Sequence, residues 1–335
     1  MAPRPVLRRR PLLAGLAALG LGPARAETKR YRIAFANLDE TPGVTVEGLG
    51  FTGIDLRRSF ELAARTLPVD MLYFDNAGDS ARAIANSEAA IAAKADLLIE
   101  YNADAVSNAE IARRLAAAGV LGLGLIDPLP GAPLYGPDNK AAGRIAGRAL
   151  GTFARETWPD ESVLGVLIGD LADPGPATSD RVQGITEGLH ESMPGLQLAP
   201  LDTGGQPVRA DALLAKFLRT QKGRILIATL DDLAALYAKN AIEMNRRQND
   251  CIIVSQGVDR NIHGGASEKK EIDPTNRGSV VLGSVAYFID RYGYDVLPLA
   301  MRMLAGEKVP PHTVTKHVLV TAGNVFREYP PFDMN

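Results

Sequence analysis

The sequence predicts an α/β protein built from two consecutive doubly wound lobes. Between residues 31 and 126, short apolar runs alternate with longer amphipathic segments, which is the pattern of buried parallel strands linked by helices. The same alternation begins again between residues 162 and 255, and a tail over 279–321 departs from it. Two complete sets of βα units followed by such a tail favour two lobes rather than one large sheet.

The first set contains the strands and helices of the first lobe. Asp79 and Ser80 open a helix with side-chain oxygens that can accept hydrogen bonds from its first amides. Gly119 ends the next helix, where a left-handed residue commonly terminates the helical backbone. The predicted strands are 31–36, 69–74, 96–101 and 120–126, and the predicted helices are 53–66, 79–94 and 105–118.

The second set repeats this order and predicts a second Rossmann-like lobe. Its strands are 162–168, 196–201, 224–229 and 251–255, and its helices are 139–157, 178–192, 210–220 and 231–245. The tail predicts a strand at 279–285, a helix at 287–305 and one extended segment at 312–321. A tail that follows two complete lobes can add elements back to both of them.

Residues 1–26 have the parts of a secretory signal peptide. Arginines between Arg4 and Arg10 precede an apolar stretch at 12–22, and Ala24-Arg25-Ala26 has the small-x-small form of a cleavage site. The apolar stretch is far shorter than the roughly 20 residues that a membrane-spanning helix needs. We therefore expect export to the periplasm and a mature chain that starts near Glu27. The Arg9-Arg10 pair leaves the twin-arginine and the general secretory routes both open.

Composition excludes several classes of partner. The leader carries five of the 37 basic residues and no acidic one, so the mature chain has 32 basic against 39 acidic residues, a net charge of −7. A nucleic acid or an anionic membrane surface would need a basic face, so neither is expected as a partner. Cys251 is the only cysteine, and the four histidines lack the spacing of metal ligands. We expect no metal and no cofactor.

Five local strings, taken in order, resemble the periplasmic sugar-binding proteins of ABC transporters, the ribose/galactose-type group. They lie at the start of a helix after the second strand, at the next strand, at the first crossing between lobes, at a helix start in the second lobe, and at the last helix. The strings are 76–80 (NAGDS), 95–99 (ADLLI), 137–139 (PDN), 179–184 (SDRVQG) and 304–310 (LAGEKVP), and the resemblance spans about 31–322.

The resemblance implies the type I periplasmic binding protein fold, in which a three-segment hinge joins the two lobes. The first lobe would comprise residues 27–138 plus 284–316, and the second would comprise 139–283 plus 317–335. A small polar solute would bind between them, and the closed protein, a monomer, would deliver it to an inner-membrane ABC permease. This agrees with the general rule that ligands bind outside the carboxyl ends of the strands in open α/β sheets.

Polar and aromatic residues at the carboxyl ends of the strands and at the crossings are the candidate ligand contacts. Carboxylates, amides and arginine suit sugar hydroxyls, which donate and accept hydrogen bonds together, and aromatic faces suit the apolar side of a sugar ring. The candidates are Asn37, Asp39, Phe51, Tyr101, Asn102, Asp127, Asp138, Asn139, Arg181, Asp231, Gln256, Asp259 and Ser284.

Several of these candidates have a structural alternative. Asp138 and Asp231 each stand where a helix begins and could serve only as N-caps. Asp127 precedes Pro128 and could be a turn residue. Arg181 is the strongest candidate, because a cation at the start of a helix opposes the helix dipole and needs another purpose.

The chain departs from the sugar-binding group at the ends of several strands. The group has an Asp-Arg pair after the fourth strand and Asn-Asp after the seventh, whereas this chain has Asp127-Pro128 and Leu230-Asp231. Its first loop, 38–50, is longer and more acidic than the short aromatic loop of the group. A sugar or polyol is the favoured ligand, and other small polar molecules stay open.

The favoured function is solute capture for an ABC importer. A periplasmic sensor that feeds a membrane histidine kinase or chemoreceptor is the alternative, because both roles use the same binding event. An enzyme is disfavoured, since the sequence lacks a G-x-S-x-G elbow, a Walker loop and an H-E-x-x-H motif.

Overall fold

Two parallel-dominated sheets covered by helices form the protein. The computed structural model describes residues 30–263, 270–276 and 278–330. The predicted signal peptide lies outside the described residues. Within these ranges each of the two sheets has six strands, which confirms the prediction of two doubly wound α/β lobes.

The first lobe is built around a parallel sheet. Its elements are β1 (Tyr31–Asn37), α1 (Gly53–Ala64), β2 (Val69–Asp75), α2 (Ser80–Ala92), β3 (Leu97–Glu100), α3 (Ala105–Ala118), β4 (Leu121–Leu125) and β5 (Leu134–Gly136), with α8 (Tyr292–Leu304) and β11 (His312–Val314) added from the tail. The strand order is β11-β5-β4-β3-β1-β2, and all pairs are parallel. The central strands β1 and β3 are buried along most of their length, as is typical of parallel sheets with both faces covered.

The second lobe repeats this plan. Its elements are α4 (Asn139–Thr157), β6 (Val163–Gly169), α5 (Pro176–His190), β7 (Leu198–Asp202), α6 (Arg209–Thr220), β8 (Arg224–Thr229), α7 (Asp232–Met244), β9 (Cys251–Gly257) and β10 (Val281–Ala286), followed after the crossings by β12 (Val318–Val320) and α9 (Val325–Glu328). The strand order of its sheet is β12-β10-β9-β8-β6-β7. Ser284 lies inside β10, so the chain leaves this sheet only after Ala286.

The predicted extended segment at 312–321 is divided between the two sheets. Its first part, β11, pairs parallel with β5, and its second part, β12, pairs antiparallel with β10. The segment therefore crosses from one sheet to the other within a few residues. Alternating apolar residues predict extended backbone, but they carry no information about which sheet each half joins.

His317 ties the three crossings together. Its Nε2 accepts a hydrogen bond from the backbone amide of Asp138 at 3.0 Å, and its Nδ1 lies 3.1 Å from the carbonyl oxygen of Ala286. The amide can only donate, so Nε2 is unprotonated and Nδ1 donates to the carbonyl. Burial lowers the pKa of His317, which favours the neutral ring that this arrangement needs.

Helices α4 and α5 touch through their backbones. A Cβ placed on Gly143 would lie 2.2 Å from the carbonyl oxygen of Arg181, and one on Gly184 would lie 2.0 Å from that of Lys140. Only glycine permits such contacts, since a methyl group at either position would overlap a fixed backbone atom. The contact sets the N-termini of the two helices side by side, with Asn139 and Arg181 near the cleft.

We expect Gly184→Ala to lower the free energy of unfolding by about 2–3 kcal/mol, because the added methyl group forces the two helices apart. Gly175→Ala is the matched control, since a Cβ at this position on the N-terminal side of α5 meets nothing within 4 Å. Urea unfolding of the mature chain measures both. Equal midpoints for the two variants would contradict the close contact.

Candidate functional site

The loop between β1 and α1 enters the cleft and meets residues of the second lobe. Arg181 of α5 is 2% exposed, and its Nη2 donates to the backbone carbonyl of Glu47 at 2.7 Å. Its Nη1 and Nε donate to the carbonyls of Leu230 and Ala177 at 3.3 and 3.4 Å. The guanidinium thus donates hydrogen bonds to three carbonyl oxygens, which explains how a cation can lie buried in the first turns of a helix.

Asn139 and Glu47 form a second contact across the cleft. Asn139 Nδ2 donates to Glu47 Oε1 at 3.4 Å, while Glu47 Oε2 and Asn139 Oδ1 are buried without a hydrogen-bond partner among the described residues. Burial raises the pKa of Glu47, and the charge of Arg181 and the bond from Asn139 oppose this. Glu47 is a cleft residue that the sequence analysis missed, apart from noting an acidic loop.

Tyr101 and Asp127 lie within electrostatic reach of Glu47. Burial, and after it the charges of Glu47 and Asp127, raises the pKa of Tyr101. Burial, and after it the charge of Glu47, raises the pKa of Asp127 from 3.8 to about 6. Both residues follow strands of the first sheet, so the carboxyl edge of that sheet gathers them as the sequence analysis expects.

A buried carboxylate organises the facing edge of the second sheet. Asp232 accepts hydrogen bonds from Ser255 Oγ at 2.5 Å, from Ser284 Oγ at 2.6 Å and from the Asp259 amide at 2.7 Å. The predicted ligand contact was the neighbouring Asp231, but its side chain caps α7 by accepting from the Ala234 amide at 2.7 Å. Burial raises the pKa of Asp231 to about 6 and raises that of Asp232 as well.

Gln256 and Tyr287 form a buried pair beside this carboxylate. The Tyr287 hydroxyl donates to Gln256 Oε1 at 2.6 Å, and Gln256 Nε2 is buried without a partner among the described residues. The Arg181 guanidinium lies 5.9 Å from the centre of the Tyr287 ring. Tyr287 follows β10 directly and lies outside α8, which begins at Tyr292, whereas the sequence predicted a helix that starts at residue 287.

Other predicted contacts use their side chains locally. Asn37 Nδ2 donates to the Gly53 carbonyl at 2.8 Å, and Asp39 accepts from the Thr41 amide at 2.7 Å. Asn102 donates to Ser107 Oγ at 2.7 Å and so braces the start of α3. Asp138 caps α4 by accepting from the Ala141 amide at 2.8 Å. The ligand-binding role of all thirteen candidates stays a prediction.

A cavity of about 750 Å³ opens beside the crossings. Its wall combines Asp55 and Arg58 of α1 with Arg260, Phe288 and Lys316. Arg260 and Asp55 approach to 3.5 Å, so an ion pair links the two sides of the cleft at its rim. The wall contains both cationic and anionic side chains, so it does not strongly favour a bound molecule of either charge.

Metal chemistry has no visible centre in the part of the chain that the structure describes. No group of three or more His, Cys, Asp or Glu side chains there is arranged to hold an ion. Cys251 is buried, and burial raises the pKa of its thiol to about 12. None of the described helices is long and apolar enough to cross a membrane.

The fold and the cleft define a two-lobed binding protein of type I. The family described as periplasmic binding protein domain matches residues 43–308, and the chain belongs to it. A comparison with curated proteins found no match.

Solved structures share this fold. An ABC transporter solute-binding protein from Mycobacterium smegmatis with bound glycerol is 18% identical, covers 88% of this chain and 96% of its own, and has a TM-score of 0.66. One from Actinobacillus succinogenes with bound D-allose is 14% identical, with coverages of 88% and 98% and a TM-score of 0.64. One from Bacillus halodurans with bound myo-inositol is 18% identical, with coverages of 89% and 96% and a TM-score of 0.60.

The raised pKa of Asp127 gives the protein a testable pH dependence. This pKa is higher in the folded protein than in the unfolded chain. Well below pH 3.8 the group is protonated in both states and has no effect on stability, whereas its ionisation destabilises the fold increasingly until the pH passes about 6. We therefore expect Asp127→Asn to stabilise the protein by about 1 kcal/mol more at about pH 7.5 than at about pH 5. Chemical unfolding without ligand measures this difference.

Asp104→Asn is the control for this pH dependence. Hydrogen bonds from Ser107 lower the pKa of Asp104, so its carboxylate is ionised in both states across that pH window. Its effect on unfolding should be the same at both pH values. An Asp127→Asn effect that is equally independent of pH would refute the electrostatic account of this residue.

Proposed function

We propose that the protein is the periplasmic solute-binding receptor of an ABC importer and closes its cleft on a small polar ligand, a sugar or polyol. The observation that carries this proposal is the set of polar groups gathered around Glu47: Arg181 and Asn139 of the second lobe donate hydrogen bonds to it, and its charge acts on Tyr101 and Asp127 of the first. Membership of the periplasmic binding protein domain family supports a binding role rather than catalysis.

The chemistry of the cleft suits hydroxyl groups. Gln256 Nε2 is a buried donor without a partner, and Asn139 Oδ1 is a buried acceptor without one, both among the described residues. A hydroxyl group donates and accepts at once, so a polyhydroxylated solute can satisfy both kinds of group. The glycerol, D-allose and myo-inositol in the structurally similar proteins support the same ligand class.

Closure would be a hinge motion biased by a ligand that touches both lobes. We assign the lobes to the two sheets, with crossings near residues 138, 287 and 316. The mature protein would start near Glu27, act in the periplasm as a monomer, and present its closed form to the inner-membrane permease. It needs no cofactor for this role.

A thermal-shift screen of residues 27–335 tests the ligand class. The panel contains D-allose, D-galactose, myo-inositol and glycerol, with amines, nucleosides and small acids as the contrasting set. A solute at about 100 times its dissociation constant adds roughly 2.7 kcal/mol to the free energy of unfolding, so the shift is easily measured. A response confined to the contrasting set would reject a sugar or polyol as the ligand.

Gln256→Met tests whether the bound solute occupies this cleft. The substitution removes the unpartnered donor, and with it the acceptor of the Tyr287 hydroxyl, while it keeps the side-chain volume, so we expect at least about a tenfold loss of affinity by calorimetry. Gln183→Met is the control, because Gln183 pairs with Glu187 on the exposed side of α5. Equal affinities in both variants would place the solute elsewhere.

Solute uptake separates the importer from the sensor. A strain that lacks the protein should lose high-affinity uptake of the solute found in the screen. Normal uptake together with a lost transcriptional or chemotactic response would favour the sensor instead.

A further inference from the structure

The loop between β1 and α1 forms a short projection, residues 45–52, which we call the finger. Its base is closed by an antiparallel bridge between Thr45 and Thr52 and by a hydrogen bond of 2.7 Å from the Val46 amide to the Phe51 carbonyl. Val46, Leu49 and Phe51 are at most 4% exposed. The Thr52 hydroxyl also caps α1 in a reciprocal bond with Asp55, so the base is anchored to the first lobe.

The tip of the finger crosses the cleft and contacts the second lobe at several points. Its Glu47 carbonyl accepts the 2.7 Å bond from Arg181, and its Glu47 carboxylate accepts the 3.4 Å bond from Asn139. Gly50 lies so close to Asp259 that a Cβ there would be 1.6 Å from Oδ2, and one on Gly257 would be 2.7 Å from the Leu49 carbonyl oxygen.

These contacts take the groups that a solute would otherwise use. Arg181, Asn139 and Asp259 are all candidate ligand contacts, and each meets the finger rather than open space. The finger presents a carbonyl oxygen to the guanidinium and a carboxylate oxygen to the amide. A sugar or polyol offers hydroxyl oxygens that can accept the same two hydrogen bonds.

The tip is held less well than its base. Glu47 has a φ of 49°, in the left-handed region that favours glycine, and its Oε2 is buried without a partner among the described residues. A carboxylate oxygen left in that condition regains water when the tip withdraws. Gly48, next along the finger, is exposed, so the tip already borders solvent.

We propose that the finger is an intramolecular stand-in for the solute: without ligand it bridges the lobes and holds the cleft closed, and a solute binds by displacing Glu47 from Arg181 and Asn139. This inference rests on the proposed function, because it assigns a regulation to the same cleft. Only the fraction of molecules with the finger withdrawn binds solute, so the finger lowers the apparent affinity.

Gly50→Ala is the variant that disrupts the contact of the finger with Asp259. The added methyl group cannot share the space of the Asp259 carboxylate, so the tip or the Asp259 side chain must move, and either movement breaks the contact between them. Gly43→Ala is a matched control in the same loop, because Gly43 also has a left-handed φ of 87° and a Cβ there meets nothing within 4 Å. Both substitutions place an alanine at a left-handed backbone position, but only Gly50→Ala breaks a contact across the cleft.

Small-angle X-ray scattering of the ligand-free mature chain gives a readout that needs no solute. We expect Gly50→Ala to have a larger radius of gyration than wild type and Gly43→Ala to match wild type. Equal radii in all three proteins would overturn the proposal. Gly257→Ala repeats the test from the second lobe, where the added methyl group would lie 2.7 Å from the Leu49 carbonyl oxygen and 2.9 Å from Asp232 Oδ2. Gly195→Ala is its control, since Gly195 has a φ of 80° and open space around it.

Calorimetry with D-allose and myo-inositol gives the second readout. We expect at least about fivefold tighter binding to Gly50→Ala than to Gly43→Ala, because more molecules are competent to bind. Weaker or unchanged binding to Gly50→Ala would overturn the displacement. If Gly50→Ala expands but binds no probe, the bridge between the lobes is supported and the sugar receptor is not. If it binds a probe without expanding, the sugar receptor is supported and the bridge is not.

Discussion

The backbone contact between α4 and α5 is the constraint on which the cleft depends. The two helices follow different strands, yet the glycines where they touch let their first turns lie side by side. Asn139 and Arg181 then reach the same edge of the second lobe and meet one and the same residue of the first, Glu47. The spacing of Asn139 and Arg181 is thus set by glycines about one turn further along each helix, because their lack of a side chain allows the close contact.

The two sides of the cleft differ in how completely their buried charges are satisfied. Asp232 accepts three hydrogen bonds of 2.5–2.7 Å, so the floor contributed by the second lobe is fixed. The Glu47 carboxylate accepts a single hydrogen bond, of 3.4 Å from Asn139, and leaves one oxygen unpartnered among the described residues. A satisfied buried network is rigid, whereas a partly satisfied one is the first to rearrange. The asymmetry marks the finger as the adaptable wall.

Much of the fold could be predicted from the sequence, because βα units declare themselves locally. The bounds of α3 and α4 agree with the predicted ones at both ends, where Gly119 and Asp138 provide the caps. The finger could not be predicted in the same way, since its partners Arg181 and Asn139 are distant in sequence. Local composition identified a long acidic loop and could not show where its tip lies.

The site was predicted in part for a related physical reason. Gln256 was chosen at a strand end, Asn139 at the first crossing and Arg181 at a helix start, because parallel strands and the connections that follow them deliver residues to the same edge. The choice between Asp231 and Asp232 depends on which of two adjacent carboxylates caps the helix and which turns inward. That choice is made by the extended backbone at Asp231, with φ −150° and ψ 165°, and composition does not encode it.

One imidazole ring has a mechanical consequence for the whole molecule. His317 belongs to the third connection between the lobes and bonds to the first at Asp138 and to the second at Ala286. None of these three connections can shift relative to the others while both hydrogen bonds of the ring are kept. The ring therefore couples the three connections mechanically, so a displacement of one of them is resisted by the other two.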